Sequence, residues 1–257
     1  LEIFWLLLVQ VVVAGFFFML AGVSTAWALL RQIKPRQVVL TGALTMVLLS
    51  TALFILGRSD SKESPWVSFR QYFQSQHFED EWKADSQTAV KMGIPPEKLT
   101  AFKDDYKKYF YDLLPGWIAS VSLVFGLLNY YLLSFVLSRI TPRVPKAMLF
   151  REWMIPEPMV FGLIIGGALK VVPYHQEGLD IAGSNLLLVF AMIYVLGGFS
   201  IVSFFLHKWR LPATLRVLSY LILVQLPLDT VCALAVLDIW FDFRKIKNPK
   251  PEPTAQV

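Results

Sequence analysis

Four polar side chains lie inside otherwise apolar stretches, where chemistry would have to be hosted if the chain performs any. Asp229 sits near the middle of the run Pro212–Phe241, one helical turn from Gln225. Asn129 falls mid-run in Leu114–Leu137, just before Tyr130 and Tyr131, and Lys170 closes the run Met159–Val172. Ionisable groups surrounded by lipid are costly and mark ion or solute paths when they face a bundle interior. Asp229, Gln225, Asn129 and Lys170 are therefore the candidate ligand or ion path. Each also has a structural reading. Asp229 can satisfy backbone groups freed by Pro227, and Asn129 can make an interhelical hydrogen bond. Lys170 can snorkel to the interface, with Glu177 and Asp180 as counter-charges.

A second group suits an interface. Phe150-Arg-Glu-Trp-Met-Ile-Pro-Glu-Pro158 joins a basic loop to an apolar run, and Glu152 and Trp153 would anchor it at the membrane surface. Leu237-Asp-Ile-Trp-Phe-Asp-Phe-Arg-Lys245 closes the last run. Asp238 and Asp242 share one helical face, and Arg244 follows them. Ion pairs between this cluster and Arg151 or Glu152 require both to lie on the same side of the membrane. Glycines form a third group: Gly162, Gly166 and Gly167 include a G-x-x-x-G spacing, and Gly197-Gly198 follow in the next run. Small residues allow close helix packing in lipid.

Catalytic and metal chemistry find no sequence support. There is no H-E-x-x-H, G-x-S-x-G or P-loop pattern. His77, His175 and His207 are scattered, and the single cysteine, Cys232, allows neither an intramolecular disulfide nor a cysteine metal site. The chain reads as a non-enzyme with no cofactor.

The elements that must position these residues are six apolar runs: Ile3–Leu30, Gln37–Gly57, Leu114–Leu137, Met159–Val172, Asn185–Leu206 and Pro212–Phe241. Most reach the ~20 residues a helix needs to cross a ~30 Å hydrocarbon core. Hydrophobic residues make up 56% of the chain and charged ones 17%, below the ~25% of soluble domains. The expected fold is an all-α polytopic transmembrane bundle of about six visible spans. Residues 1–57 hold two spans, 58–113 an extracytoplasmic helical insert, 114–245 a four-span core and 246–257 a disordered tail. Because Leu1 enters an apolar run at once, upstream spans are expected.

Loop charges orient the bundle. Arg31, Lys34 and Arg36 fill one short loop, Arg139, Arg143, Lys146 and Arg151 a second, and Lys208, Arg210 and Arg216 a third. The loop Pro173–Ser184 has only acidic charges. Positive loops stay in the cytoplasm, so the insert lies outside. The net charge of +5 thus reflects topology rather than a nucleic-acid face. The basic tail after Phe241 disagrees with six simple crossings. Either Pro227 splits the last run into half-helices and the tail returns, or one Pro-kinked helix leaves the tail outside. In the insert, Trp66, Phe69, Phe73 and His77, and then Leu99 to Leu113 after Pro95-Pro96, recur at helical spacing.

The Phe150–Pro158 stretch, the closing Leu237–Lys245 stretch, Asn129-Tyr130-Tyr131 and Leu114-Pro115 together resemble the YybS-like family of predicted bacterial membrane proteins, a domain of unknown function. The resemblance covers about residues 114–245 well and the earlier part loosely. It implies a bundle of about six helices, further N-terminal spans, and a loose relation to the S components of energy-coupling-factor transporters and to the rod-shape protein MreD. No binding motif of either relative is present.

The resulting expectation is a non-enzymatic scaffolding or regulatory subunit of an envelope complex in the bacterial cytoplasmic membrane. Its partners would be the bilayer and other membrane subunits, with no nucleic acid. The alternative is a small-solute binding or transport component resembling an S component, its ligand near Asn129, Asp229 and Gln225 under the insert.

Overall fold

The computed structural model describes residues 2–56, 71, 75–171 and 177–246. Among these the fold is all-α, with no strand. Its helices are α1 (Glu2–Leu30), α2 (Pro35–Leu56), α3 (Gln76–Lys91), α4 (Pro96–Ile140), α5 (Val160–Val171), α6 (Glu177–Lys208), α7 (Ala213–Gln225) and α8 (Leu228–Phe241).

α1 stops where Gln32 turns left-handed at φ 55°, and Ile33 N–H returns to the Ala28 carbonyl. Pro35 then opens α2, its missing N–H costing nothing at a helix start. α2 lies against α4 so closely that a Cβ on Gly126 would meet the Val39 carbonyl oxygen at 2.7 Å. Only glycine admits that approach. Ala28, Val38, Leu127, Tyr130 and Val144 form the core between α1, α2 and α4.

α4 runs 45 residues without interruption, so the aromatic stretch from Leu99 to Leu113 is no separate insert helix but the start of one whose later part, Asp112–Ile140, is long and apolar enough to span. α3 packs beside that stretch. Its first turn is capped by Ser75 Oγ, and it ends at Gly93, where φ is +90°. The expected Trp66, Phe69 and Phe73 face lies outside the described residues, as do the side chain of His77, residue His175 and the tail 247–257.

The six apolar runs do not become six spanning helices. Among the described residues two segments, Asp112–Ile140 and Gly178–Lys208, are long and apolar enough to cross a membrane, or three if α7 and α8 count as one span. Met159–Val172 yields only the 12-residue α5, about 18 Å long against a core of ~30 Å. Before it the chain is largely non-helical from residue 141, with 3-10 turns at Phe150–Glu152 and Glu157–Met159. That segment descends along α6, with Phe150 at Ser200 and Ile155 at Gly197. Measured from Lys208 these contacts lie ~12 and ~16 Å down the axis.

The last run divides at Leu226-Pro227 into α7 and α8, bent by 108°. A single kinked helix is thereby excluded. Leu223 of α7 and Val231 of α8 both pack on Val195, and Ile239 packs near Ile201. α8 therefore returns toward the end of α6 from which α7 departed. α4 and α6 run parallel, with Asn185 beside Gly116 and Leu196 beside the Tyr130 cluster. Gln32 Nε2 bonds the Arg143 carbonyl and Arg244 bonds that of Arg151. The basic residues of all three short loops and of the chain after α8 thus gather at one end of the bundle.

Candidate functional site

α8 ends in a backbone reversal. Asp242 adopts the left-handed region, φ 41°, which turns the chain so that Arg244 folds back beside Asp238 on the last turn. Ile246 N–H then bonds Asp242 Oδ1 at 3.0 Å. Arg244 Nε and Nη2 donate to Asp238 Oδ2 at 3.0 and 2.8 Å. Its Nη1 faces three acceptors: the carbonyls of Arg151 and Trp153, each at 3.0 Å, and Ser200 Oγ at 2.9 Å. Ser200 Oγ also lies 2.7 Å from the Phe150 carbonyl. The guanidinium side chain is only 3% exposed.

This clasp has a physical cause. Non-helical backbone at membrane depth survives only where its polar groups are satisfied by protein. The descending segment pairs only some of its carbonyls along its own chain, those of Leu149 and Phe150 with the N–H groups of Glu152 and Trp153, and Arg244 with Ser200 supplies donors to those of Arg151 and Trp153. The planar guanidinium reaches a carboxylate and two carbonyls together, which an ammonium cannot do. Asp238 balances the charge, and its Oδ1 is buried without a hydrogen-bond partner. A cavity of about 10 Å³ adjoins it, lined by Met154, Gly197, Asp238, Asp242 and Arg244 among others, room for about one water. The arrangement holds the Arg151 and Trp153 backbone against α6 and α8.

A second clasp closes the other end. Pro115 interrupts the hydrogen-bond ladder of α4. One residue on, Gly116 N–H does not need its own helix: it bonds Asn185 Oδ1, while Asn185 Nδ2 bonds the Asp112 carbonyl. One amide from α6 thus reaches both the Gly116 donor and the Asp112 acceptor in one turn of α4. A Cβ at Gly116 would sit 2.8 Å from Asn185 Oδ1.

With these contacts in hand, the relatives are informative. The family described as predicted membrane protein (DUF2232) matches residues 2–239. The chain belongs to this family of predicted membrane proteins. It is also similar to the uncharacterized protein YybS of Bacillus subtilis (strain 168), with 27% identity over 139 residues. That match takes in 52% of this chain and 45% of the relative, so the chain spans under half the length of the curated relative it matches. No solved structure matches. The DUF2232 match includes Asn185, Ser200 and Asp238 and stops before Arg244.

The residues expected to line a ligand path are not brought together in this family member. Asn129 is buried on α4 and faces α1, its Nδ2 donating to the Phe18 carbonyl at 3.4 Å. Gln225 and Asp229 are exposed at the α7–α8 elbow, which packs on α6. Lys170 is exposed in the last turn of α5. Among the described residues no group of three His, Cys, Asp or Glu could hold a metal ion.

The interface residues fare differently. Asp238 and Arg244 pair with each other inside the bundle, so the expected ion pairs with Arg151 or Glu152 are replaced by bonds to backbone carbonyls. The physical reason is that Arg151 and Glu152 direct their side chains to one another, Nε to Oε1 at 3.8 Å, with Glu152 exposed. Trp153 gives its carbonyl to Arg244, and its ring stacks on Phe150. Among the glycines, a Cβ at Gly162 would meet the Phe190 ring at 2.3 Å, at Gly166 the Leu187 side chain at 2.9 Å, at Gly197 Ile155 at 2.4 Å and at Gly198 Val231 at 2.5 Å. Gly167 faces open space. Sequence reasoning passed over Asn185, Ser200 and Tyr130, whose hydroxyl accepts from Met148 N–H at 2.9 Å. Asn185 beside an apolar run, opposite a Leu-Pro-Gly, was the available signal for the first. A lone serine next to Gly197-Gly198 carried none.

Proposed function

We propose that this protein is a non-enzymatic, multi-pass subunit of the bacterial cytoplasmic membrane that scaffolds or regulates an envelope complex. The observation that carries this reading is how the bundle spends its polar groups. Arg244, Asp238, Ser200, Asn185 and Tyr130 all bind backbone or one another. Two cavities among the described helices are small: about 10 Å³ beside Arg244 and about 70 Å³ between Arg36, Leu123, Trp153 and Ile193. Small-molecule sites usually offer ~300 Å³ or more. A cleft of about 510 Å³ does exist, but it lies between α3 and the start of α4, lined by Trp82, Lys91 and Lys103, and not among the spans. A solute path of the S-component kind gains no support from these volumes.

In this reading the basic end faces the cytoplasm. α1, α2, α4 and α6 cross the bilayer, the non-helical descent together with α5 makes a fifth crossing, and α7–α8 enters and leaves on the cytoplasmic side. The tail then carries its positive charge inside, in agreement with the other basic loops. The test is purification of the tagged full chain from native membranes in mild detergent. Partners recovered at a fixed molar ratio support a subunit role. A monodisperse lone monomer, or a stoichiometric small solute, would sink it.

A further inference from the structure

The α7–α8 elbow exposes a carboxylate where lipid should be. α7 and α8 have 13 and 14 residues, so each reaches only ~20 Å and the pair turns back near mid-bilayer. Leu223 and Val231 place that turn at Val195, which is ~20 Å from Lys208 along α6 and ~26 Å from Gly178. Below the elbow α6 continues, but α7 and α8 do not. Their end is a ledge bearing exposed Leu226, Leu228, Gln225 and Asp229. Neither Gln225 nor Asp229 makes a side-chain hydrogen bond or ion pair within the described residues. An ionised carboxylate facing hydrocarbon at this depth is expensive, and such residues normally pair.

The geometry points to a docking site for a transmembrane helix of another polypeptide, seated in the notch beneath the elbow and carrying a lysine or arginine at mid-bilayer that pairs with Asp229. Charge complementarity selects this occupant over a second copy. In this chain, residues 3–30, 37–57, 114–138, 159–169 and 179–206 contain no Lys or Arg. Lys170 stands at the level of Gly183, a dozen residues and ~18 Å from Val195, so a partner copy sharing the same membrane plane cannot bring it to Asp229. Apolar Leu221, Ile222 and Val224 on the exposed side of α7 extend the ledge into a face a helix can lie on. The inference rests on the subunit role proposed above and names the chemistry of the partner.

The test uses the full chain in native membranes with a photo-crosslinking residue at Leu226. The expected result is one discrete adduct whose cross-linked peptide comes from another polypeptide and holds a Lys or Arg within an apolar stretch of ~20 residues. Asp229→Leu lowers the adduct yield at least tenfold. Asp229→Lys abolishes it, and exchanging the partner's basic residue for aspartate restores it. Asp229 is exposed, so these variants keep the monodisperse elution of the parent, which is checked in parallel. Adducts to lipid alone, to a second copy of this chain, or to a peptide without a basic residue overturn the proposal, as does an unchanged yield in Asp229→Leu. If partners still co-purify at a fixed ratio, such a result removes this site while leaving the subunit role intact. Loss of both removes the two together.

Discussion

Replacing Arg244 by methionine tests whether the guanidinium holds the non-helical descent in place. The substitution keeps most of the side-chain volume and removes every donor. Asp238 then has a buried carboxylate with no counter-charge, and the Arg151 carbonyl loses its 3.0 Å donor. Removing one member of a buried pair costs about 3–5 kcal/mol. At ~1.4 kcal/mol per factor of ten, the lower figure raises the population of the opened segment roughly a hundredfold. Tryptic cleavage at Lys146 and Arg151, measured in lipid nanodiscs, reads that population when reclosing is faster than cutting. Arg244→Lys is expected to fall between, because an ammonium keeps the charge but cannot span Asp238 and both carbonyls. The double variant Asp238→Leu, Arg244→Met leaves no unpaired buried charge and should open less than Arg244→Met alone. An unchanged cleavage rate in Arg244→Met, or a double variant that opens more than the single, would refute the clasp.

Two further outcomes follow from the same geometry. Asn185→Leu removes the amide that bonds both Gly116 N–H and the Asp112 carbonyl, taking that partner from two backbone groups beside Pro115. A loss of about 2–4 kcal/mol is expected from two groups that lose this partner, read as a lower denaturant midpoint, and a midpoint equal to the parent's would show that the turn closes on itself. With Cys232 replaced by alanine, single cysteines at Phe243 and Lys146 should react with a membrane-impermeant maleimide only after lysis, while one at exposed Met92 reacts in intact cells. Labelling of Phe243 together with Met92 would place the chain end on the outer face.

Much of this architecture is local and therefore readable along the chain. Apolar runs free of charge specify helices that lipid can surround, and the clusters around Arg31, Arg139 and Lys208 specify which ends share a side. Pro227 announced a break, since proline removes a donor and clashes with the preceding turn, but a break has no intrinsic angle. The 108° bend is set by Leu223 and Val231 converging on Val195. Likewise Met159–Val172 has the composition of a span, yet hydropathy does not distinguish an apolar helix from an apolar helix preceded by extended chain. Pro156 and Pro158 kept that descent out of α-helix, and the run there gives a helix of 12 residues, shorter than a span.

The candidate residues divide in the same way. Asp238 and Asp242 could be recognised as sharing one helical face from spacing alone, with Arg244 following them. That their partners are the carbonyls of Arg151 and Trp153 could not, because every residue carries a carbonyl and nothing in side-chain sequence marks one as orphaned. Asn185 and Ser200 escaped for this reason too. By itself the sequence determined the all-α membrane character and the gathering of basic loops, since hydropathy and charge act residue by residue against the solvent. Only the tertiary structure decided where the chain leaves the helix, which polar groups must satisfy it there, and that Asp229 stands on a ledge facing outward, because those depend on what the backbone meets from segments distant in the chain.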